Sequence, residues 1–242
     1  MKSYRNDFTN RLIKKAKIEE GMRILDVGCG TGAISVLIGD KVGKDGEIIG
    51  VDIDRNVIKA AQENIHNEKI QFICADINNL PQLGKFDRII GRQVLMYQNE
   101  NTIKKLLPFL NDDGKILFQE SDKGKLLVQE DFPLHSKIQK LIWKTIEKEG
   151  GNTSIGSQLY QLFKESELIV EEVFSEQVIQ TSETGSDLGW QAKIMKPRMI
   201  KQDLVSKEYD FEELEQKLDT KMKNSRGIFI RDLNYGIIGR KK

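Results

Sequence analysis

Cysteine is scarce: two in 242 residues, Cys29 and Cys74, each in an apolar, strand-like setting, which excludes a disulfide framework and suits a reducing compartment. Charge of one sign is not in excess either. Lys and Arg number 38 against 37 Asp and Glu, so no global basic field advertises a nucleic acid or an anionic membrane, and neither partner is expected. No apolar run approaches the roughly 18 residues of a membrane span, and "MKSYRNDFTNRLIKKAKIEEG" at the start has no apolar signal core. The expected address is cytoplasmic. Cys29, Cys74, His66 and His135 fall at no metal-ligand spacing, so no metal is expected, and there is no G-x-S-x-G nucleophile motif. Repeats and low-complexity segments are lacking too.

What is present is an alternation of periods. "RILDV" (23–27), "EIIGVDI" (47–53), "IQFICAD" (70–76), "KFDRIIG" (85–91) and "KILFQE" (115–120) are short apolar runs, the pattern of parallel strands buried on both faces. Helical spacing separates them: Ala33, Ile34, Leu37 and Ile38; Val57, Ile58, Ala61 and Ile65; Ile103, Leu106, Leu107 and Leu110. Asp54 is placed as an N-cap, and "GKDG" (43–46) and "NDDG" (111–114) read as turns into the next strand. The winding is βαβ, repeated.

After Glu120 the rhythm changes. "LHSKIQKLIWKTIEKEG" (134–150), "IGSQLYQLFKESEL" (155–168) and "FEELEQKLDTKM" (211–222) read as helices, the last opened by Asp210 and Glu213 as a capping box. "IVEEVFSEQVIQT" (169–181) alternates as a strand, and "NYGIIGRKK" closes the chain as another. The expectation is one α/β domain over 1–242, a doubly wound, mostly parallel seven-stranded sheet. Its ligand-binding half is 1–122, and 125–154 and 182–225 are helical cap insertions that serve the substrate.

"ILDVGCGTG" (24–32) holds the chemistry. Glycine after a first parallel strand permits a tight turn and close approach of a ligand to the backbone, and Gly28, Gly30 and Gly32 follow one here. Gly28, Gly30 and Ala33 also satisfy the loose dinucleotide pattern G-x-G-x-x-G/A, with Asp52 about 20 residues on. Tyr160 and Lys164 even stand at the Y-x-x-x-K spacing of short-chain dehydrogenases, although Tyr160 sits among Leu159, Leu162 and Phe163, which read as core. A nicotinamide oxidoreductase is therefore one alternative, and a non-catalytic module that binds a cofactor to sense or scaffold is another.

Asp26 before the glycines, "GVDID" closing the second run, "ICADINNLP" the third and "FDRIIGRQVLMY" the fourth occur in that order. Together they resemble class I S-adenosylmethionine-dependent methyltransferases of the small-molecule type, closely over about residues 20–122. The resemblance implies S-adenosylmethionine as cofactor, with Asp26, Gly28, Cys29, Gly30, Asp52, Ile53, Asp76, Ile77 and Gly91 around it. A carboxylate at Asp52 offers two acceptor oxygens to a ribose diol. Asp76 and the Ile77 amide suit adenine, Ile53 and Ile77 its faces, and the Gly91 carbonyl the ammonium. Arg11, and Tyr4 near it, are placed to close over the ligand, with Arg11 forking onto its carboxylate. Whether a base is used depends on the acceptor. The catalytic candidates near the carboxyl ends of the strands are Arg92, Gln93, Tyr97, Glu120, Asp122 and His135. The acceptor pocket is expected to draw apolar walls from Trp143, Trp190, Ile194 and Met195.

Overall fold

The computed structural model describes residues 4–124 and 129–242, with side chains from Asp7 onward. In chain order the first part runs α1 (Tyr4–Lys15), β1 (Arg23–Val27), α2 (Ala33–Val42), β2 (Glu47–Asp52), α3 (Arg55–Asn64), β3 (Ile70–Cys74), β4 (Phe86–Arg92), α4 (Thr102–Leu106) and β5 (Leu110–Asp122). It continues with α5 (Pro133–Lys148), α6 (Ile155–Glu165), β6 (Ile169–Gln180), α7 (Leu188–Lys201), α8 (Phe211–Lys223) and β7 (Phe229–Arg240). The strands form one seven-stranded sheet in the order β3-β2-β1-β4-β5-β7-β6. The β1–β2, β1–β4, β2–β3 and β4–β5 pairs are parallel.

The expected doubly wound sheet is thus present, and burial explains why its centre was legible. β1, β2 and β4 are buried along nearly their whole length and mostly apolar at their centres, as strands covered on both faces are, with Asp26 and Arg88 as buried charged exceptions. At the sheet edges β3 and β6 alternate between buried and exposed positions instead. The chain winds from β1 outward through β2 to β3, then returns to β4 on the other flank of β1. That reversal leaves a crevice outside the carboxyl ends of β1 and β4.

One expected turn is absent. "NDDG" (111–114) lies inside β5, where Phe86 pairs with Leu110 but Arg88 pairs with Lys115. The extra residues bulge opposite Asp87, whose carboxylate accepts from Asn111 Nδ2 at 2.8 Å, so turn-favouring residues here bend a strand without ending it. β7 likewise begins at Phe229, before the expected "NYGIIGRKK".

The chain divides into two compact units. One comprises residues 6–120, 155–175 and 235–242 and holds β1, β2, β3 and β4 whole, with most of β5 and parts of β6 and β7. In it α1 is fastened by Thr9 Oγ1 donating to Gln119 Oε1 at 2.7 Å, by Phe8 stacked on Phe174, and by the buried Arg88 guanidinium donating to the carbonyls of Ala16 and Lys17. The other comprises 1–5, 121–154 and 176–234 and holds α5, α7 and α8. The two expected insertions fall within it, apart from residues 125–128, which lie outside the described residues.

In the helical unit Gly189 lets α7 approach α8 closely, since a Cβ there would stand 2.4 Å from the Glu215 Cα. Asp210 caps α8 by accepting from the Glu213 amide at 2.9 Å, the forward half of the expected capping box. A buried network joins Trp143 Nε1 to Asp232 at 2.7 Å and Arg231 to both Asp187 and Asp232.

Candidate active site

Register brings the motif residues together. Val27 pairs with Val51 on one side and Gly91 on the other, and Asp52 pairs with Cys74, so the glycine turn, Asp52, Asp76 and Arg92 all leave the same end of adjacent strands. The Asp52 carboxylate accepts from the Gly30 amide at 2.9 Å and from the Asp54 amide at 3.0 Å. It therefore pins the glycine turn to β2 while staying half-buried, with acceptor capacity left over. Asp54 caps α3 through the Asn56 amide at 2.8 Å, as read from the sequence, which leaves Asp52 for another task.

The three glycines of the turn differ. Gly28, Gly30 and Gly32 all have positive φ, at 66°, 54° and 81°. A Cβ on Gly28 would lie 2.4 Å from Val94 Cγ2, and one on Gly32 would lie 2.5 Å from both Ile65 and Phe72, so these two make room for the protein's own side chains. A Cβ on Gly30 would meet nothing within 4 Å. Close approach by an outside molecule is therefore supported at Gly30, whereas Gly28, expected to leave room for a ligand, is covered by Val94. Gly91 is packed likewise, under Phe118 and Val94.

Asp26 is buried and accepts from Ser35 Oγ at 2.6 Å, tying β1 to the first turn of α2. Burial raises its pKa to about 6, against the opposing pull of Ser35 and the Arg92 charge. Cys29 points into the core, where burial pushes its thiol up, and only its backbone is left to a ligand. Asp76 is exposed and accepts from the Asn78 amide at 2.8 Å. Ile53 is 71% exposed, an apolar side chain beside Asp52, while Ile77 is 5% exposed. Arg11 is exposed on α1, its guanidinium 5.7 Å from the Phe8 ring; the side chain of Tyr4 lies outside the described residues.

The catalytic candidates separate. Arg92 is half-buried, and Gln93, at φ 56°, and Tyr97 are exposed in the turn that follows β4. Glu120 is fully buried in the sheet unit, and Asp122, on the helical unit, accepts from the Gly124 amide at 2.7 Å. His135 corrects the sequence reading most: it is 0% exposed in the helical unit, wedged against the rings of Phe132 and Phe229. Of the expected pocket walls, Trp143 and Met195 are buried core, while Trp190 and Ile194 are exposed at 37% and 57%. Tyr160 is exposed, not core, on α6. Among the described residues no group of His, Cys, Asp or Glu is arranged to hold a metal, and no helix is long and apolar enough to cross a membrane.

Burial lowers the His135 pKa from 6.5 to about 4, outweighing the Leu218 backbone. A folded value below the unfolded one means that protons favour the unfolded chain. The His135 contribution to stability is full above pH 6.5 and falls toward pH 4, by about 3 kcal/mol at the limit, while the raised carboxyls of Asp26 and Glu120 contribute with the opposite sign over the same range. Denaturant melts of wild type and His135→Leu between pH 7 and 4 isolate it: the stability of the wild type relative to the variant should fall by about this amount across the range, and a pH-independent difference would show that His135 does not titrate as a buried imidazole.

Residues 18–196 match the family described as a methyltransferase domain. The chain belongs to the methyltransferase-domain family. The chain is 30% identical over 131 residues to malonyl-(acyl-carrier protein) O-methyltransferase of Acetivibrio thermocellus, covering 48% of this chain and 46% of that protein. It is 31% identical over 144 residues to demethylmenaquinone methyltransferase of Staphylococcus saprophyticus, covering 56% and 58%. The chain thus spans about half the length of the curated relatives it matches. Among solved structures, one similar in fold is a putative methyltransferase from Bacillus halodurans, with TM-score 0.63 and 14% identity over 96% of this chain and 97% of that one. Another is phosphoethanolamine N-methyltransferase 2 of Haemonchus contortus in complex with phosphomonomethylethanolamine and S-adenosylhomocysteine, with TM-score 0.63 and 14% identity over 98% and 53%. The methyltransferase reading of the sequence is borne out over the oxidoreductase one, and so is the fold.

Proposed function

We propose that this methyltransferase binds S-adenosylmethionine at the carboxyl ends of β1, β2, β3 and β4 and transfers its methyl group to a small-molecule acceptor. The observation that carries the reading is the Gly30–Asp52 pair: an open backbone position with no protein atom beside it, tied to a carboxylate that can still accept. An open backbone beside a free acceptor fits an adenosine bearing an amino acid. The S-adenosylhomocysteine in the nematode enzyme of similar fold supports it. When bound, the cofactor supplies an already activated methyl group on a sulfonium.

The chain's own residues bind and align. Asp52 presents its oxygens to the ribose diol. Asp76 and the Ile77 amide meet the polar edge of adenine, and Ile53 and Ile77 its apolar faces. Gly30 and Cys29 line the amino-acid portion with backbone, Asp26 holds that turn from beneath, and the Gly91 carbonyl and Arg11 take the ammonium and carboxylate. Alignment of this kind supplies about 7–11 kcal/mol without a proton moving. The relatives named above act on a malonyl carrier protein in one case and a demethylmenaquinone in the other, so the reading stays at the class of a small acceptor group.

Incubating the protein with methyl-labelled S-adenosylmethionine and a cell extract should place the label in a small molecule. Label found only in nucleic acid would overturn the acceptor class, and cofactor binding without any transfer would favour the non-catalytic module. Acceptor selectivity is proposed to lie with two exposed apolar side chains of α7, Trp190 and Ile194. Replacing both with alanine should lower turnover of the acceptor about tenfold and leave cofactor affinity within a few-fold. Parallel loss of cofactor binding would remove these two from the acceptor's side.

A further inference from the structure

We infer that Glu120 is a positioning residue, which holds the turn after β4 in the place that shapes the floor of the cofactor site, and is not the base its location invites. The inference rests on the proposed cofactor site and concerns how that site is built.

The geometry runs from β5 across to the glycine turn. Glu120 stands near the carboxyl end of β5, 0% exposed. Its Oε1 accepts from the backbone amides of both Val94 and Leu95, at 2.9 and 2.8 Å. Those amides open the single 3-10 turn Leu95–Tyr97. Helical turns leave their first N–H groups without internal partners, and here a carboxylate from a neighbouring strand meets them in place of a local cap. The need for such a clamp is evident one residue earlier. Arg92 is the last residue paired with β5, and Gln93 then turns at φ 56°, its amide donating to the Gln119 carbonyl at 2.8 Å. So sharp a reversal at a non-glycine residue persists only where the surroundings hold it.

What the turn delivers is Val94. Its side chain takes the space that a Cβ would need at Gly28, 2.4 Å from Cγ2, and at Gly91, 2.8 Å from Cγ1. Glu120 therefore acts through Val94 on Gly28, which opens the turn that carries Gly30, and on Gly91 at the end of β4, whose carbonyl belongs to the proposed cofactor site. It does so from a fully buried place.

The same geometry argues against a base. Oε1 is occupied by two amides, and Oε2 is buried with no hydrogen-bond partner among the described residues. Burial pushes the carboxyl up to about 8, against the opposing pull of the Leu95, Val94 and Met96 backbone amides, so near neutrality it is mostly protonated and a poor proton acceptor. A glutamine reproduces that protonated state: one oxygen for the two amides and an NH2 where the OH stood.

The test compares the wild type with Glu120→Gln and Glu120→Ala. S-adenosylhomocysteine affinity is read by calorimetry, exchange of the Val94 and Leu95 amides by hydrogen–deuterium exchange, and kcat against KM with the acceptor from the labelling experiment. Glu120→Gln should stay within about threefold of wild type in every measure. Glu120→Ala should keep its circular dichroism, exchange both amides faster and bind S-adenosylhomocysteine about tenfold more weakly or worse. A loss of kcat in Glu120→Gln of about a hundredfold with unchanged affinity would make Glu120 a base and overturn the inference. Unchanged affinity and exchange in Glu120→Ala would overturn it equally. If the wild type binds no S-adenosylhomocysteine, the cofactor reading falls and takes this inference with it; if the wild type binds and the alanine variant matches it, the inference alone falls.

Discussion

Asp52→Ala should weaken binding of S-adenosylmethionine and its demethylated product by about tenfold to 150-fold, the loss of ~1.5–3 kcal/mol expected when charge-assisted hydrogen bonds are removed. Two effects add there. The ligand loses its carboxylate acceptor, and the Gly30 and Asp54 amides lose theirs, so the turn that should lie against the ligand is released from β2. Asp52→Asn, which retains one acceptor oxygen, should fall between the two. Calorimetry with S-adenosylhomocysteine reads the effect, with circular dichroism as the check on folding. Wild-type affinity in Asp52→Ala would mean that the ligand is not seated on β2.

Two glycines of one motif should fail in opposite ways. Gly28→Ala must place a methyl 2.4 Å from Val94 Cγ2 at φ 66°, combining left-handed backbone strain with overpacking, and should cost about 2–5 kcal/mol of stability. Gly30→Ala meets no protein atom and bears only the strain of φ 54°, about 1–2 kcal/mol, so the fold should survive. Its methyl points into the open space proposed for the ligand, and cofactor affinity should drop by about tenfold or more while the midpoint of denaturant unfolding shifts less than in Gly28→Ala. Wild-type affinity in a folded Gly30→Ala would remove the ligand from the glycine turn.

That contrast marks where sequence reasoning stops. "GCGTG" announces a tight turn with close approaches, but a string of residues does not record what stands opposite each missing Cβ. Val94 covers Gly28, Ile65 and Phe72 cover Gly32, and only Gly30 is open. The central strands were legible because a strand buried on both faces is mostly apolar, and "RILDV" matches β1 residue for residue, with Asp26 its one buried charged position. "NDDG" misled because residues favoured in turns are also tolerated in a bulge, and the decision between them lies with Phe86 and Arg88 on the neighbouring strand. α7 was not read as a helix, since Pro197 interrupts its pattern from within. Trp143 and Met195 were read as pocket walls because amphipathic spacing shows that a face is apolar and not what it packs against. Trp143 in fact donates to Asp232, and Met195 lies in the core of the helical unit. Glu120 was visible as a carboxylate at a strand end, whereas its partners, two backbone amides 25 and 26 residues back in the chain, leave no trace in side-chain identity.

The central claim is that the carboxyl ends of β1, β2, β3 and β4 form a site for an adenosine carrying an amino acid. Calorimetry of the wild-type protein with S-adenosylmethionine, S-adenosylhomocysteine and NADH tests it most directly. The account predicts binding of the first two in the micromolar range, about 8 kcal/mol, and no comparable binding of NADH. Tight binding of NADH with no heat from S-adenosylmethionine would contradict it.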